Sequence, residues 1–199
     1  MKRILSTMLF VLFALAGLAQ EIKMNETTIS DYLPLLKAKG YVPFSFDVST
    51  IKGKDVTIHI REFVNGKEVE DSPRLLFPYR FPTNGDKLVI GFLPSETDSL
   101  AQYCLNWENT VSWTCSLKLC PIYWESEKKY VYSYVARPFE LTSPFEKDTF
   151  IPLVFYSSHW YDAKEKVTRC CGENFINPDL SSNVALKSPH YYIIGIKFY

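Results

Sequence analysis

The chain has 199 residues, with 22 basic and 22 acidic side chains. Loss of an N-terminal leader carrying Lys2 and Arg3 would leave 20 basic against 22 acidic side chains. Binding to nucleic acid or to an anionic membrane requires a basic patch, so this balance argues against both. The length suits one domain with a substantial core.

The N-terminus has the pattern of a secretory signal peptide. Lys2 and Arg3 precede an apolar run over 8–18, and Ala19 is a small residue of the kind that signal peptidases recognise. We predict cleavage after Ala19, with cleavage after Gln20 as the alternative. The apolar run is shorter than the roughly 20 residues of a transmembrane helix, and no later segment comes close to that length. No cysteine follows the cleavage site, which excludes a lipid-anchored leader. We therefore expect a signal peptide over 1–19, a single β-rich domain over 20–199, and a secreted or periplasmic protein without a transmembrane segment.

The first predicted element is a short helix over 28–39. Ser30 is its expected N-cap, Gly40 its expected end, and Pro34 disturbs its middle. Apolar and polar residues then alternate over 42–48, which predicts a half-buried strand. Pro43 places that strand at an edge, because proline cannot donate a ladder hydrogen bond.

The next segment predicts a β-hairpin. Apolar residues alternate with polar ones over 56–60, and Asn65-Gly66 follows as a strong turn signal before Val69. Two prolines make 75–82 an irregular or edge segment. A further strand is expected over 87–93.

Residues 95–109 fit both a helical and a strand pattern. Ser95 and Asp98 resemble a capping box, which favours a short helix. The alternation over 111–119 predicts a strand. Segments rich in β-forming residues predict three more strands, over 130–136, 150–156 and 191–199.

These elements predict a mainly β fold, a β-sandwich-like single domain with one or two short helices. A barrel-like β fold is the alternative. The segments 137–144, 157–166 and 172–189 are rich in turn residues and are expected to be connectors.

The five cysteines are disulfide candidates, because disulfides persist in exported proteins. At most two bridges can form, and a bridge between adjacent cysteines is strained. We therefore expect at least one of the late pair to bond to the earlier group, although sequence alone does not fix the pairing. The candidates are Cys104, Cys115, Cys120, Cys170 and Cys171.

Two catalytic arrangements are weighed against structural interpretations. Ser157, Ser158 and His159 place hydroxyls beside an imidazole, but sequence neighbours rarely form the required hydrogen bond, so a solvated loop is preferred. Carboxylate pairs hydrolyse glycosidic bonds only at a fixed separation, which sequence does not show. The scattered carboxylates considered are Asp47, Glu62, Asp98, Glu108 and Glu125.

No cofactor or metal is expected. The chain has no phosphate loop, dinucleotide fingerprint or His-Glu-x-x-His motif. A zinc site from Cys170, Cys171 and one of His59, His159 and His190 is conceivable, since thiolate and imidazole are zinc ligands. Disulfides explain the cysteines more simply.

Aromatic residues make up 16% of the chain. Tyr130, Tyr132 and Tyr134 alternate along one predicted strand, so their rings share one face. If that face is outward it forms an amphipathic platform suited to sugar or protein contact, and if it is inward it is core, the interpretation that we favour. The predicted binding residues are Tyr130, Tyr132, Tyr134 and Trp160.

The short leader, the cysteine-bearing β-rich domain and the closing strand Tyr-Tyr-Ile-Ile-Gly-Ile-Lys-Phe over 191–198 resemble small exported proteins of unknown function from gut bacteria. The resemblance implies no activity. The leading hypothesis is a non-enzymatic module of the envelope or extracellular space that binds glycan or protein. The alternatives are a secreted hydrolase built around His159, and an assembly subunit that pairs through an edge such as the final strand.

Overall fold

A computed structural model describes residues 24, 26–70, 74–75, 79–94, 99–142 and 144–199. The described residues fall into two units, one that ends at Pro34 and one that begins at Leu35. The predicted leader, residues 1–19, lies outside the described residues. Within the described part of the chain, no helix has the length and apolar character needed to cross a membrane.

The described residues form two α-helices, one 3-10 turn over Ser49–Ile51 and fifteen strands. The helices are α1 (Ile29–Ala38) and α2 (Asn183–Lys187). The strands are β1 (Val42–Asp47), β2 (Asp55–Val64), β3 (Lys67–Glu68), β4 (Arg74–Leu75), β5 (Phe81–Pro82), β6 (Lys87–Leu93), β7 (Leu100–Trp107), β8 (Val111–Lys118), β9 (Ile122–Trp124), β10 (Lys129–Val131), β11 (Tyr134–Pro138), β12 (Ile151–Ser158), β13 (Trp160–Asp162), β14 (Val167–Arg169) and β15 (His190–Phe198).

The predicted first helix is confirmed as α1, although its cap differs from the expected one. The helix begins at Ile29, and the backbone N–H of Thr28 donates to Asp31 Oδ2 at 2.6 Å. Thr28 and Asp31 therefore form a capping-box-like pair, which stabilises the first turn in place of the predicted Ser30 cap.

Strands β1, β6, β7 and β8 form the first sheet in that order, all antiparallel. β1 lies at its edge, as Pro43 predicts. β7 corrects the helix expected over 95–109, of which residues 95–98 lie outside the described part. Ala101, Tyr103 and Leu105 are fully buried while the residues between them face outward, so the strand alternation prevails over the helical stripe.

The second sheet has the order β11, β12, β15 and β2, and β2 pairs on its far side with β3, β4 and β5 in turn. β15 lies between β12 and β2 and pairs with both along most of its length. The hypothesis of assembly through the final strand is therefore wrong, because both edges of that strand are occupied within the chain.

The hairpin predicted at Asn65-Gly66 is confirmed between β2 and β3. Asn65 and Gly66 have φ angles of 51° and 75°, the positive values that a tight two-residue hairpin turn requires.

The two sheets pack face to face over one hydrophobic core, which confirms the sandwich-like fold. Phe92 of the first sheet stacks on Tyr156 of the second, with ring centroids 4.6 Å apart. A second apolar cluster covers the outer face of the second sheet, where Ile176 and Val184 pack near Phe155. The central strands of that sheet are thus buried on both faces, which explains their nearly continuous apolar sequences.

Candidate functional site

Two small β-ribbons lie beside the main sheets. β9 pairs with β10, β13 pairs with β14, and β13 packs beside β9. Each ribbon has a four-residue loop that ends in a lysine with positive φ, 50° at Lys128 and 52° at Lys166. The two ribbons therefore share one type of connection between their paired strands.

The first ribbon borders a cleft of about 520 Å³. We call it the aromatic cleft, and define it by the residues that line it: Trp124, Glu127, Lys129, Tyr130, Val131, Tyr132 and Ser133. Its size lies in the range of small-molecule sites, and three of its seven lining side chains are large aromatic rings.

Two of the three aromatic rings of the cleft pack against the main fold. Tyr132 is half-buried against the main core, and the Trp124 ring lies 6.3 Å from the imidazole of His159. Tyr130 instead is 70% exposed. Its ring makes an edge-to-face contact with Tyr123 on the paired strand, with ring centroids 5.3 Å apart. Tyr161 on β13 is also exposed. Such fixed amphipathic rings at a surface are typical of contact sites.

The cleft carries opposite charges that compensate each other. Lys129 Nζ and Glu127 Oε2 form an ion pair, and both side chains are more than half exposed. The lining holds no other ionisable side chain apart from its tyrosines. A neutral lining of this kind offers no general attraction for highly charged ligands.

Ser133 joins the cleft to the end of β12. Its hydroxyl lies 3.0 Å from His159 Nδ1, and its carbonyl accepts the His159 backbone N–H at 3.0 Å. Burial, helped by the charge of Arg137, lowers the pKa of His159 to about 4. The imidazole is therefore neutral, and its Nε2 is buried without a hydrogen-bond partner among the described residues. Catalytic bases usually have an orienting partner on that nitrogen, and the described residues supply none for His159.

Tyr130 and Tyr132, two of the predicted binding residues, both line the aromatic cleft. Tyr134 does not, since it is 8% exposed and belongs to the core. Its hydroxyl accepts the Cys120 backbone N–H at 2.8 Å and contacts His190 Nδ1, while His190 Nε2 lies 3.1 Å from Glu62 Oε1. These bonds fix Tyr134 inside the fold.

Trp160, the fourth predicted binding residue, is 8% exposed and packs in the second apolar cluster. The predicted set of binding residues does not include Trp124, Tyr123 and Tyr161. These rings of the two ribbons are exposed or half-exposed. The signal that could have found two of them is the Tyr-Trp pair before a four-residue polar loop and a second β-rich segment.

The predicted serine–histidine neighbours do not pair with one another. Ser157 and Ser158 are both 1% exposed near the end of β12, and Ser158 Oγ accepts the His190 backbone N–H at 3.3 Å. His159 bonds to Ser133 instead. The solvated loop expected here is thus the end of a buried strand, because Ser157 lies in register with Tyr191.

The scattered carboxylates have separate structural contacts. Asp47 accepts the Ser49 N–H at 2.9 Å, and Glu108 accepts the Asp86 N–H at 3.1 Å. Glu125 lies near Tyr161, and Asp98 lies outside the described residues. In the described part of the chain, no three histidine, cysteine or acidic side chains converge to hold a metal ion.

All five cysteines are free thiols in the structure. The expected link between the late pair and the earlier group is not formed. Cys104 instead contacts the Tyr41 hydroxyl at 3.1 Å, and Cys120 is half-buried beside Tyr134. The two sulfur atoms that lie near each other are those of Cys170 and Cys171, at 3.9 Å.

The fold and the cleft define a β-sandwich with an aromatic surface site. The chain belongs to the family described as Domain of unknown function (DUF5041), whose model matches residues 11–199. No curated protein matches the chain, and no solved structure does.

Proposed function

We propose that this protein is an exported, non-enzymatic binding module that holds a glycan in the aromatic cleft. The observation that carries the proposal is the cleft of about 520 Å³ lined by Trp124, Tyr130 and Tyr132. Export is inferred from the leader pattern over 1–19 and agrees with a site built for an extracellular or periplasmic ligand.

The chemistry of the cleft matches a sugar. The C–H faces of a sugar ring are apolar and pack flat on aromatic rings, while its hydroxyls need polar partners at the rim. Ser133 and the Lys129–Glu127 ion pair supply such partners within the same lining. The neutral balance of that pair favours an uncharged saccharide over a phosphorylated or strongly acidic ligand.

A protein ligand is the second candidate, because exposed tyrosines also favour protein contacts. Tyr123 and Tyr161 extend the aromatic surface beyond the cleft, and both are exposed. A glycan is preferred because the cleft is concave, and concavity suits a small ligand.

A secreted hydrolase is the third candidate, now centred on Ser133 and His159. Their hydrogen bond at the cleft is the observation in its favour. Against it stand the low pKa of the imidazole and the missing partner on Nε2 among the described residues. A base with so low a pKa removes a serine proton poorly near neutral pH.

The test is incubation of the mature protein with a panel of immobilised host and bacterial polysaccharides, with retention and released products scored in one experiment. We expect retention on at least one neutral polysaccharide without released products. Released sugars would contradict a non-enzymatic role and direct attention to Ser133. No retention on any polysaccharide would contradict the glycan and favour a protein ligand.

A further inference from the structure

The adjacent thiols Cys170 and Cys171 lie in the segment that follows β14. Their sulfur atoms are 3.9 Å apart, Cys171 is exposed and Cys170 is half-buried. The remaining cysteines lie on or just after β7 and β8, in other surroundings. A bridge between these two neighbours would require their sulfur atoms to approach to the S–S bond length of about 2.05 Å.

Arg137 anchors the backbone of this segment on one side. Its guanidinium donates from Nη2 to the Cys170 carbonyl and from Nε to the Glu173 carbonyl at 3.0 Å. The same cation lies close enough to act on the Cys170 thiol. Its positive charge favours the Cys170 thiolate, the reactive form in exchange, but burial has the larger effect and raises the pKa of that thiol.

The helix α2 anchors the segment on the other side. The Glu173 carboxylate accepts the Asn183 backbone N–H at 2.9 Å. Gly172 packs so closely on the helix that an added Cβ would lie 2.2 Å from Val184 Cγ2. The two thiols therefore sit on a backbone that is held at both ends.

The two thiols differ in access. Cys171 lines a polar cleft of about 640 Å³ together with Asp162, Arg169 and Lys187. Burial and the hydrogen bond with Cys171 raise the pKa of Cys170, while Arg137 acts in the opposite direction. The exposed Cys171 is the first to meet an incoming molecule.

We propose that Cys170 and Cys171 form a vicinal dithiol that exchanges with disulfides and closes reversibly into a bridge between the two neighbours. The Cys171 thiolate attacks one sulfur of an incoming disulfide, forms a mixed disulfide and releases one thiol. The Cys170 thiolate then attacks the Cys171 sulfur and releases the second thiol. The two cysteines lose two electrons and two protons, and the incoming disulfide gains them.

Strain explains why this bridge is an exchange site rather than a permanent link. Neighbouring Cα atoms are about 3.8 Å apart, below the roughly 4.4–6.8 Å of ordinary disulfides. Strained and exposed disulfides are the easily reduced ones. This bridge is therefore expected to open at milder reducing conditions than a structural disulfide.

The test treats the mature, reduced protein with oxidised glutathione and counts thiols after denaturation. We expect the count to fall from five to three, and dilute dithiothreitol to restore it. Tryptic peptide 170–187 holds both cysteines and no others, whereas Cys104 and Cys115 lie on 88–118 and Cys120 on 119–128. The oxidised peptide 170–187 should be about 2 Da lighter and unlinked.

Two variants sharpen the result. Cys170→Ser, which keeps the exposed attacking thiol of Cys171, should lose one thiol instead of two and retain one glutathione as a mixed disulfide on Cys171. Cys120→Ser is the matched control and should still lose two thiols. A count that stays at five, or a peptide 170–187 joined to 88–118 or 119–128, would overturn the proposal.

Discussion

At the scale of single residues, the three histidines are buried or half-buried in surroundings that the sequence did not reveal. Burial lowers the pKa of His59, His159 and His190, which makes all three neutral polar groups of the interior. The sequence predicted His59 on the polar face of a strand, His159 in a loop and His190 before the last strand. It could not show how far each of the three is buried. The partners of His190 lie 56 and 128 positions away in sequence, and only the fold brings them together.

These lowered pKa values predict an acid-sensitive fold. An unfolded histidine takes up its proton near pH 6.5, whereas folded His159 does so near pH 4, so the unfolded state binds more protons between these values. The stabilising contribution is complete above about pH 6.5 and is lost as pH falls through the folded pKa. Urea unfolding at stepped pH values should show a midpoint that declines across this window.

The matched control for that decline is His159→Asn, which keeps a polar side chain of similar size but does not titrate. Its midpoint should fall less steeply over the same window than that of the unsubstituted protein. Equal slopes for the two proteins, or a flat midpoint from neutral pH down to about pH 4.5, would contradict the assignment.

At the scale of elements, periodicity predicted the strands whose two faces meet different surroundings. β1 and β8 alternate clearly in burial, β2 is buried on both faces despite its alternating sequence, and the Asn65-Gly66 turn fixed one hairpin. β7 was missed because four apolar residues also fitted a helical stripe, and a local capping signal cannot reveal the neighbouring strands that decide the outcome. The three-residue strands of the ribbons are too short for any period, so the aromatic cleft stayed hidden except for Tyr130 and Tyr132.

The central pairing of the second sheet depends on close approach at Gly195. A Cβ added there would lie 2.3 Å from the Ile151 carbonyl oxygen and 2.6 Å from the Phe150 ring. We expect Gly195→Ala to lower the free energy of unfolding by about 1–3 kcal/mol, as overpacking does. Chemical denaturation measures the change.

Leu186→Ala is the control for the Gly195 prediction, because Leu186 is 73% exposed on α2. Its free energy of unfolding should change by less than about 0.5 kcal/mol. A Gly195→Ala protein as stable as the unsubstituted one would show that β12 and β15 do not approach as closely as described.

At the scale of the whole molecule, composition and alternation were enough to predict a mainly β sandwich. They were not enough to place β15 in the centre of the second sheet, because strand order depends on long-range pairing that leaves no local mark. They also could not show that the outer face of that sheet is covered by a second cluster. The aromatic content was noticed from composition, but its division between core and surface required the fold.

Export is the whole-molecule property that the proposed function requires. Expression of the full chain in a bacterium with a secretory pathway should yield a protein that begins at Gln20, or at Glu21 if cleavage follows Gln20. N-terminal sequencing of the purified protein decides this. Recovery of the chain with the apolar run over 8–18 intact would contradict export by a cleaved leader.

The most direct measurement of the central claim is the affinity of two variants, Tyr130→Ala and Tyr79→Ala, for the neutral polysaccharide that retains the unsubstituted protein. Calorimetric titration measures both affinities. Tyr130 is 70% exposed at the aromatic cleft, and Tyr79 is 76% exposed. Tyr79 comes just before β5, which pairs at the edge of the second sheet opposite to β11. We predict about tenfold weaker binding for Tyr130→Ala, equivalent to about 1.4 kcal/mol, and unchanged binding for Tyr79→Ala. Equal affinities for the two variants would contradict a glycan site in the aromatic cleft.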